Sequence, residues 1–316
     1  MVVDDRPITP EAFARWTEVL LEPVEAADAS FFEATTAIAF ADFAARGVEV
    51  AVVEVGLGGR LDSTNVLTPL VSAVTHVTHD HADYLGDSLL EIAAEKAGIA
   101  KAGIPFVVGE TDPALLDVFS RHGTAAGARV VIVPAGEDYD GPLGLTGAHQ
   151  RRNAAVAQAV LRELPDALRP REESVRGAFA ATRLPGRFER RGKWILDVAH
   201  NPGGATALAA ALRQLAPPRP CHALVGIMRD KDWAAMMAQL EAVVDALWVT
   251  CPPTAPAERR WELEAVRERF PGAIAEPDFD RALAGVQLGA ETVVVAGSFH
   301  TVGDAMARLP GFAPLG

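Results

Sequence analysis

Eight short apolar runs, separated by longer amphipathic stretches, constrain this chain of 316 residues more than any other feature. The runs cover residues 50–55, 72–78, 105–108, 130–133, 194–198, 223–227, 246–250 and 292–296. Each is continuously apolar rather than alternating, as expected of strands covered on both faces. Between them, residues 88–100, 153–164, 205–215 and 234–244 have helical periodicity, and Thr9-Pro10 reads as an N-cap followed by a first-turn proline. Strand and helix in alternation predict an α/β chain with doubly wound parallel sheets. The Pro- and Arg-rich passage 165–191 holds no strand-like run and predicts a boundary near residue 183, giving domains 1–183 and 184–316.

The formal charge of −13 argues against a nucleic-acid or anionic-membrane partner. No apolar run approaches the length of about 20 residues that spans a bilayer, and MVVDDRPITP lacks the pattern of a secretory signal. The only cysteines, Cys221 and Cys251, sit in separate apolar runs and read as reduced, buried thiols. A cytoplasmic setting is expected.

Several motifs stand where predicted strands end, the place where open parallel sheets bind ligands. In Val50-Ala-Val-Val-Glu54-Val-Gly-Leu-Gly-Gly-Arg-Leu-Asp-Ser-Thr-Asn65 a carboxylate closes an apolar run and a Gly-rich loop follows. Mg²⁺ is a natural partner for such a carboxylate, although a glycine turn with a solvated glutamate reads equally well. His79-Asp80-His81-Ala82-Asp83 matches five positions of the HxHxDH zinc-hydrolase pattern, with Tyr84 in place of the final histidine. Glu91, Glu95 and Lys96 share an amphipathic helix, which composition alone reads as a solvated face. Asp197-Val-Ala-His-Asn-Pro-Gly-Gly204 carries an acid at a strand end before a helix, a place suited to a ribose and an anion.

The order of these motifs resembles one family, the dihydrofolate synthase/folylpolyglutamate synthase branch of the Mur ligases. EVGLGGRLDSTN, DHADYLG, IAAEKAGIAKAGIP, GAHQRRNAAVA, LPGRFE, DVAHNPGGA, MRDKD and VAGSFHTVGD carry the likeness along nearly the whole chain, and it outweighs the zinc-hydrolase reading. The resemblance implies a P-loop-like parallel sheet domain followed by a smaller Rossmann-like domain. It implies ATP-dependent addition of L-glutamate to dihydropteroate, tetrahydrofolate or both, through an acyl phosphate, by a monomer. By position, Glu54, His81 and a carbamylated Lys96 would hold Mg²⁺, with K⁺ as an additional monovalent cation. Asn153, Arg187 and Asp197 would hold ATP; Ser30, Phe31, Phe32 and Glu33, with Leu61, Asp62 and Ser63, would hold the pterin substrate. His200, Lys231, Ser298 and His300 fall in family motifs without an assigned role.

One departure accompanies the likeness. Family members carry an early phosphate loop of the form GxxxxGK[ST], and this sequence contains none. The expectation is an N-terminally truncated ligase, with a non-catalytic folate- or nucleotide-binding remnant as the alternative.

Overall fold

The computed structural model describes residues 1–78, 85–86 and 88–312. By contacts it divides into two units, one of residues 1–77 and 81–132, the other of residues 78–80 and 133–316.

The first unit opens with a small hairpin, β1 (Val2–Val3) and β2 (Arg6–Pro7), and two helices, α1 (Pro10–Ala26) and α2 (Phe31–Ala45). Thr9 caps α1 by accepting from the Ala12 amide, with Pro10 in its first turn. Ser30 and Glu33 cap α2 reciprocally, a capping box that satisfies two otherwise orphaned donors. The sheet consists of three parallel strands in the order β3 (Ser72–Val74), β4 (Pro105–Val108), β5 (Arg129–Ile132). Helix α3 (Leu89–Ala97) leads into β4, and α4 (Pro113–Ala125) into β5. Ile92, Phe106 and Phe119 are fully buried, the two rings meeting edge to face at 6.1 Å.

Residues 50–55, expected as a buried strand, pair with no strand among the described residues. The run forms no regular element and is largely exposed, Val52 98% so. A continuous apolar run signals burial on two faces, and here no described neighbour supplies either.

The second unit begins with α5 (Ala148–Glu163) and α6 (Glu172–Ala181). Its remaining elements are β6 (Glu189–Arg191), β7 (Trp194–Asp197), α7 (Pro202–Leu215), β8 (Cys221–Val225), α8 (Trp233–Glu241) and β9 (Ala246–Val249). These are followed by α9 (Leu263–Arg269), β10 (Ile274–Ala275), α10 (Phe279–Val286), β11 (Thr292–Ala296) and α11 (Phe299–Met306). The six strands lie in the order β10-β9-β8-β11-β7-β6, all parallel except β6, which runs antiparallel at one edge. One core joins the sheet to α7 and α8, through residues such as Leu208, Leu212, Met236 and Leu240; a second joins the other face to α10 and α11. This is the doubly wound, Rossmann-like arrangement expected. Residues 133–183 group with this unit, whereas the sequence places them in the first domain; α5 packs on α7. No helix among the described residues is long and apolar enough to cross a membrane.

Candidate active site

In the first unit the Gly-rich loop after Glu54 is organised by Asp62. Asp62 Oδ2 accepts from the Gly56 and Leu57 amides at 3.0 and 2.9 Å, and Oδ1 accepts from the amide and hydroxyl of Thr64. The loop then lies directly on the C-terminal turn of α3. Arg60 N donates to Glu95 O at 2.9 Å, its guanidinium pairs with the Glu95 carboxylate, and Asn65 Nδ2 donates to Gly98 O. A methyl group on Gly98 would stand 2.3 Å from Arg60 Cβ, so only glycine admits this approach. The two motifs around Arg60 and Lys96, separate in sequence, are therefore one interlocked piece.

Glu54 is exposed and makes no hydrogen bond or ion pair with another described residue, while Lys96 is half-buried on α3. His81, with the whole His79–Asp83 cluster, lies outside the described residues. Among the described residues no three His, Cys, Asp or Glu side chains gather as a metal site.

Helix α2 and residues 56–66, the stretches that carry the segments expected to hold the pterin, meet each other. Thr36 Oγ1 and Ser63 Oγ are 2.9 Å apart, and the Phe32 ring lies against Gly56. Ser30 and Glu33 are engaged in the α2 cap, and the hydroxyl and then the amide of Ser30 hold Glu33 below the usual carboxylate range. Phe31 and Leu61, 84% and 79% exposed, present apolar surface to solvent.

Sequence reasoning missed Glu110. Directly after β4 it is 1% exposed, and it accepts from His76 Nδ1 at 3.0 Å and from the amides of Val77, Thr111 and Asp112 at 2.9, 2.7 and 3.0 Å. Burial pushes this carboxyl upward, but the four donors outweigh it and leave the pKa at about 2. The same pairing raises His76. An acid just past an apolar run was its only signal.

In the second unit Asp197 closes β7, 9% exposed. Its oxygens accept the Phe188 amide at 2.9 Å and the Ala199 amide at 3.0 Å. Both of those residues have positive φ, +48° and +33°, so Asp197 clamps two unfavourable backbone conformations. Burial raises its pKa to about 6, against the pull of the Phe188 amide and the Arg187 charge. Arg187 stacks over the Phe299 ring at 5.7 Å, and His200 approaches the same ring at 5.4 Å. His149, which the sequence reading passed over, is held below its ordinary value by desolvation and then by Arg187. Asn153 is exposed on α5, its amide donating to Gln150. Asn201 caps α7, whose first turn is Pro202-Gly203-Gly204. Arg187 and Asp197 are thus brought to one end of the sheet, beside an aromatic ring and a helix N-terminus, where a phosphorylated ligand suits the chemistry.

Comparison with known proteins decides the family. The profile of the Mur ligase, glutamate ligase domain matches residues 186–299. The folylpolyglutamate synthase of Lacticaseibacillus casei is 34% identical over 292 residues, an alignment covering 81% of this chain and 68% of that protein. The chain belongs to the dihydrofolate synthase/folylpolyglutamate synthase family. The solved folylpolyglutamate synthase of Mycobacterium tuberculosis complexed with ADP superposes with a TM-score of 0.85 at 31% identity, covering 99% of this chain and 81% of that one. Escherichia coli FolC in complex with DHPP and ADP gives 0.84 at 30% identity, over 97% and 77%. The chain thus spans about two thirds of its Lacticaseibacillus relative and about four fifths of these solved family members.

Proposed function

We propose that this chain works as an ATP-dependent ligase that joins L-glutamate to the carboxylate of dihydropteroate, of tetrahydrofolate, or of both. The observation that carries the reading is the interlock of the 54–65 loop with α3, because it makes one rigid piece of the two motifs that family resemblance assigns to metal binding.

A carboxylate is a poor electrophile, and ATP would activate it as an acyl phosphate that the amine of glutamate then attacks. Arg187 would face the phosphates, with its guanidinium held over Phe299, while Asp197 and Asn153 would meet the ribose and base. Asp197 has both oxygens engaged by backbone amides, but each oxygen keeps a lone pair for a ribose hydroxyl. The pterin would lie against Phe31 and Leu61, since exposed apolar side chains beside the polar Ser30–Glu33 and Asp62–Ser63 segments suit a flat heteroaromatic ring.

Mg²⁺ fits the donor chemistry. Glu54 is an open carboxylate, His81 adds an imidazole, and Lys96 as a carbamate would offer oxygens where an ammonium offers none. When bound, the ion neutralises charge spread over the transferring phosphoryl group.

The test is ADP release by the full chain with ATP, Mg²⁺, L-glutamate and each acceptor in turn. ADP that depends on both glutamate and a pterin acceptor is expected. Nucleotide and folate binding without any ADP release would instead establish the binding remnant.

A further inference from the structure

At the carboxyl end of the second unit's sheet, Thr254 stands between two polar side chains 46 and 50 residues further along the chain. Its hydroxyl is 3.0 Å from His300 Nδ1 and donates to Asp304 Oδ2 at 3.1 Å. The same carboxylate oxygen accepts the Thr254 amide at 3.1 Å. Asp304 is buried, with Arg308 Nη1 3.8 Å from its other oxygen. On the Thr254 loop, the Arg260 guanidinium is spent on the carbonyls of Ala255 and Pro253.

A threonine hydroxyl owns one proton. Given to Asp304, it leaves the oxygen as an acceptor towards His300. Nδ1 then carries the imidazole hydrogen, and Nε2 keeps a bare lone pair. A carboxylate behind a histidine fixes its tautomer and supports the imidazolium when it forms; here the carboxylate acts through a hydroxyl. The ring is also held by its helix. His300 is the second residue of α11, whose Ser298 cap is buried and whose Thr301 hydroxyl donates to Gly226 O at 2.7 Å. His300 itself is only half-buried, so Nε2 belongs to a fixed ring that a ligand can reach.

We infer that His300 Nε2 is the proton acceptor for the ammonium group of the incoming amino acid, with Thr254 and Asp304 as positioning residues. The inference rests on the ligase reading above. An amino acid arrives as an ammonium ion with no lone pair to attack with. Transfer of one proton to Nε2 frees that pair, and the C–N bond forms as the C–O bond to phosphate breaks. Phosphate leaves with the electron pair, and the second proton on nitrogen and the one on Nε2 pass to solvent.

Long-range ¹H–¹⁵N spectra of the histidine-labelled full chain read the tautomer directly, with His300 identified by its loss in His300→Gln. The Nδ1–H form is expected in the wild type and in Thr254→Ser, and its loss in Thr254→Val. A wild-type His300 in the Nε2–H form overturns the inference. L-Glutamate should shift the Nε2 signal whereas glutarate, which has both carboxylates and no amine, should not; equal responses also overturn it. In turnover, hydroxylamine is an amine already neutral near pH 7 and needs no base. His300→Gln should lose about 100-fold with L-glutamate and less than about 3-fold with hydroxylamine, in line with the loss of one general base. Equal losses with both amines exclude the base role. A wild-type chain that releases no ADP with either amine refutes the ligase reading, while the glutamate–glutarate comparison still decides His300.

Discussion

Replacing Glu110 with glutamine should unfasten the chain where it leaves β3. The carboxylate takes four donors, His76 Nδ1 and the amides of Val77, Thr111 and Asp112, on two oxygens. An amide of the same shape turns an NH₂ towards one pair of those donors, leaving buried N–H groups facing each other. Its pKa falls from the ordinary 4.5 to about 2, so the site favours the charged form by about 3 kcal/mol at 1.36 kcal/mol per unit. Losing that preference should speed amide exchange at Val77, Thr111 and Asp112 about 100-fold, since each 1.4 kcal/mol is tenfold. The sign of the pH dependence differs between the two partners. Glu110 is lowered when folded, so its contribution is present above about 4.5 and fades as pH falls towards 2. His76 is raised, so its contribution is present below about 6.5 and is lost as pH rises through the folded value. Protection factors measured from pH 3 to 8 should therefore be highest between about 4.5 and 6.5 in the wild type, where both contributions hold, and flat in Glu110→Gln. Equal protection of Val77 and Thr111 in the two proteins at pH 6 would refute this account of the buried carboxylate.

Four further outcomes are expected. Gly98→Ala would drive a methyl group into Arg60 and lower stability by about 1–3 kcal/mol, the usual cost of overpacking, read by denaturant titration. In ¹³C-bicarbonate the full chain should show a carbamate carbon resonance that disappears in Lys96→Arg; its persistence would remove Lys96 from the proposed metal ligands. Arg187→Ala should weaken ADP binding about 10- to 100-fold by calorimetry, the scale of one or two charge-assisted hydrogen bonds. Asp197 is raised from 3.8 to about 6, so the folded state binds more protons between those values and gains stability as pH falls across them. That gain, about 3 kcal/mol in full, should be missing from Asp197→Asn in unfolding titrations at pH 7 and pH 4.

Where a strand is buried on both faces, its sequence announces it. All five residues of β11 are buried, and residues 292–296 read as a strand at the same bounds. Strand β6 is Glu-Arg-Arg, an antiparallel edge strand with two exposed residues, and no apolar pattern marks it. Helix α4 went unread although Asp112 and Pro113 form a regular start signal. Residues 50–55 failed the other way, because an apolar run states what it would bury against but not whether the neighbour is there. At the site, the glycines of residues 56–59 were legible as a loop, but its contact with α3 depends on Arg60 meeting Gly98, thirty-eight residues on. Glu110 was hidden because a buried acid and a solvated one are written with the same letter. The Thr254–His300–Asp304 relay was hidden because Thr254 comes from the loop after β9 while His300 and Asp304 lie on α11, which follows β11, and both strands are neighbours of β8.

The seam between Arg60 and Gly98 also limits how this site can vary. Glu54 and Lys96 are mounted on two sides of one joint, so a bulkier residue on either side displaces both mounts together. A change at residue 98 is tolerable only with a compensating reduction at residue 60, which makes the pair a candidate for strong non-additivity in double mutants. Length is subject to the same joint. One residue added within 56–60 or 95–98 would put its two halves out of register.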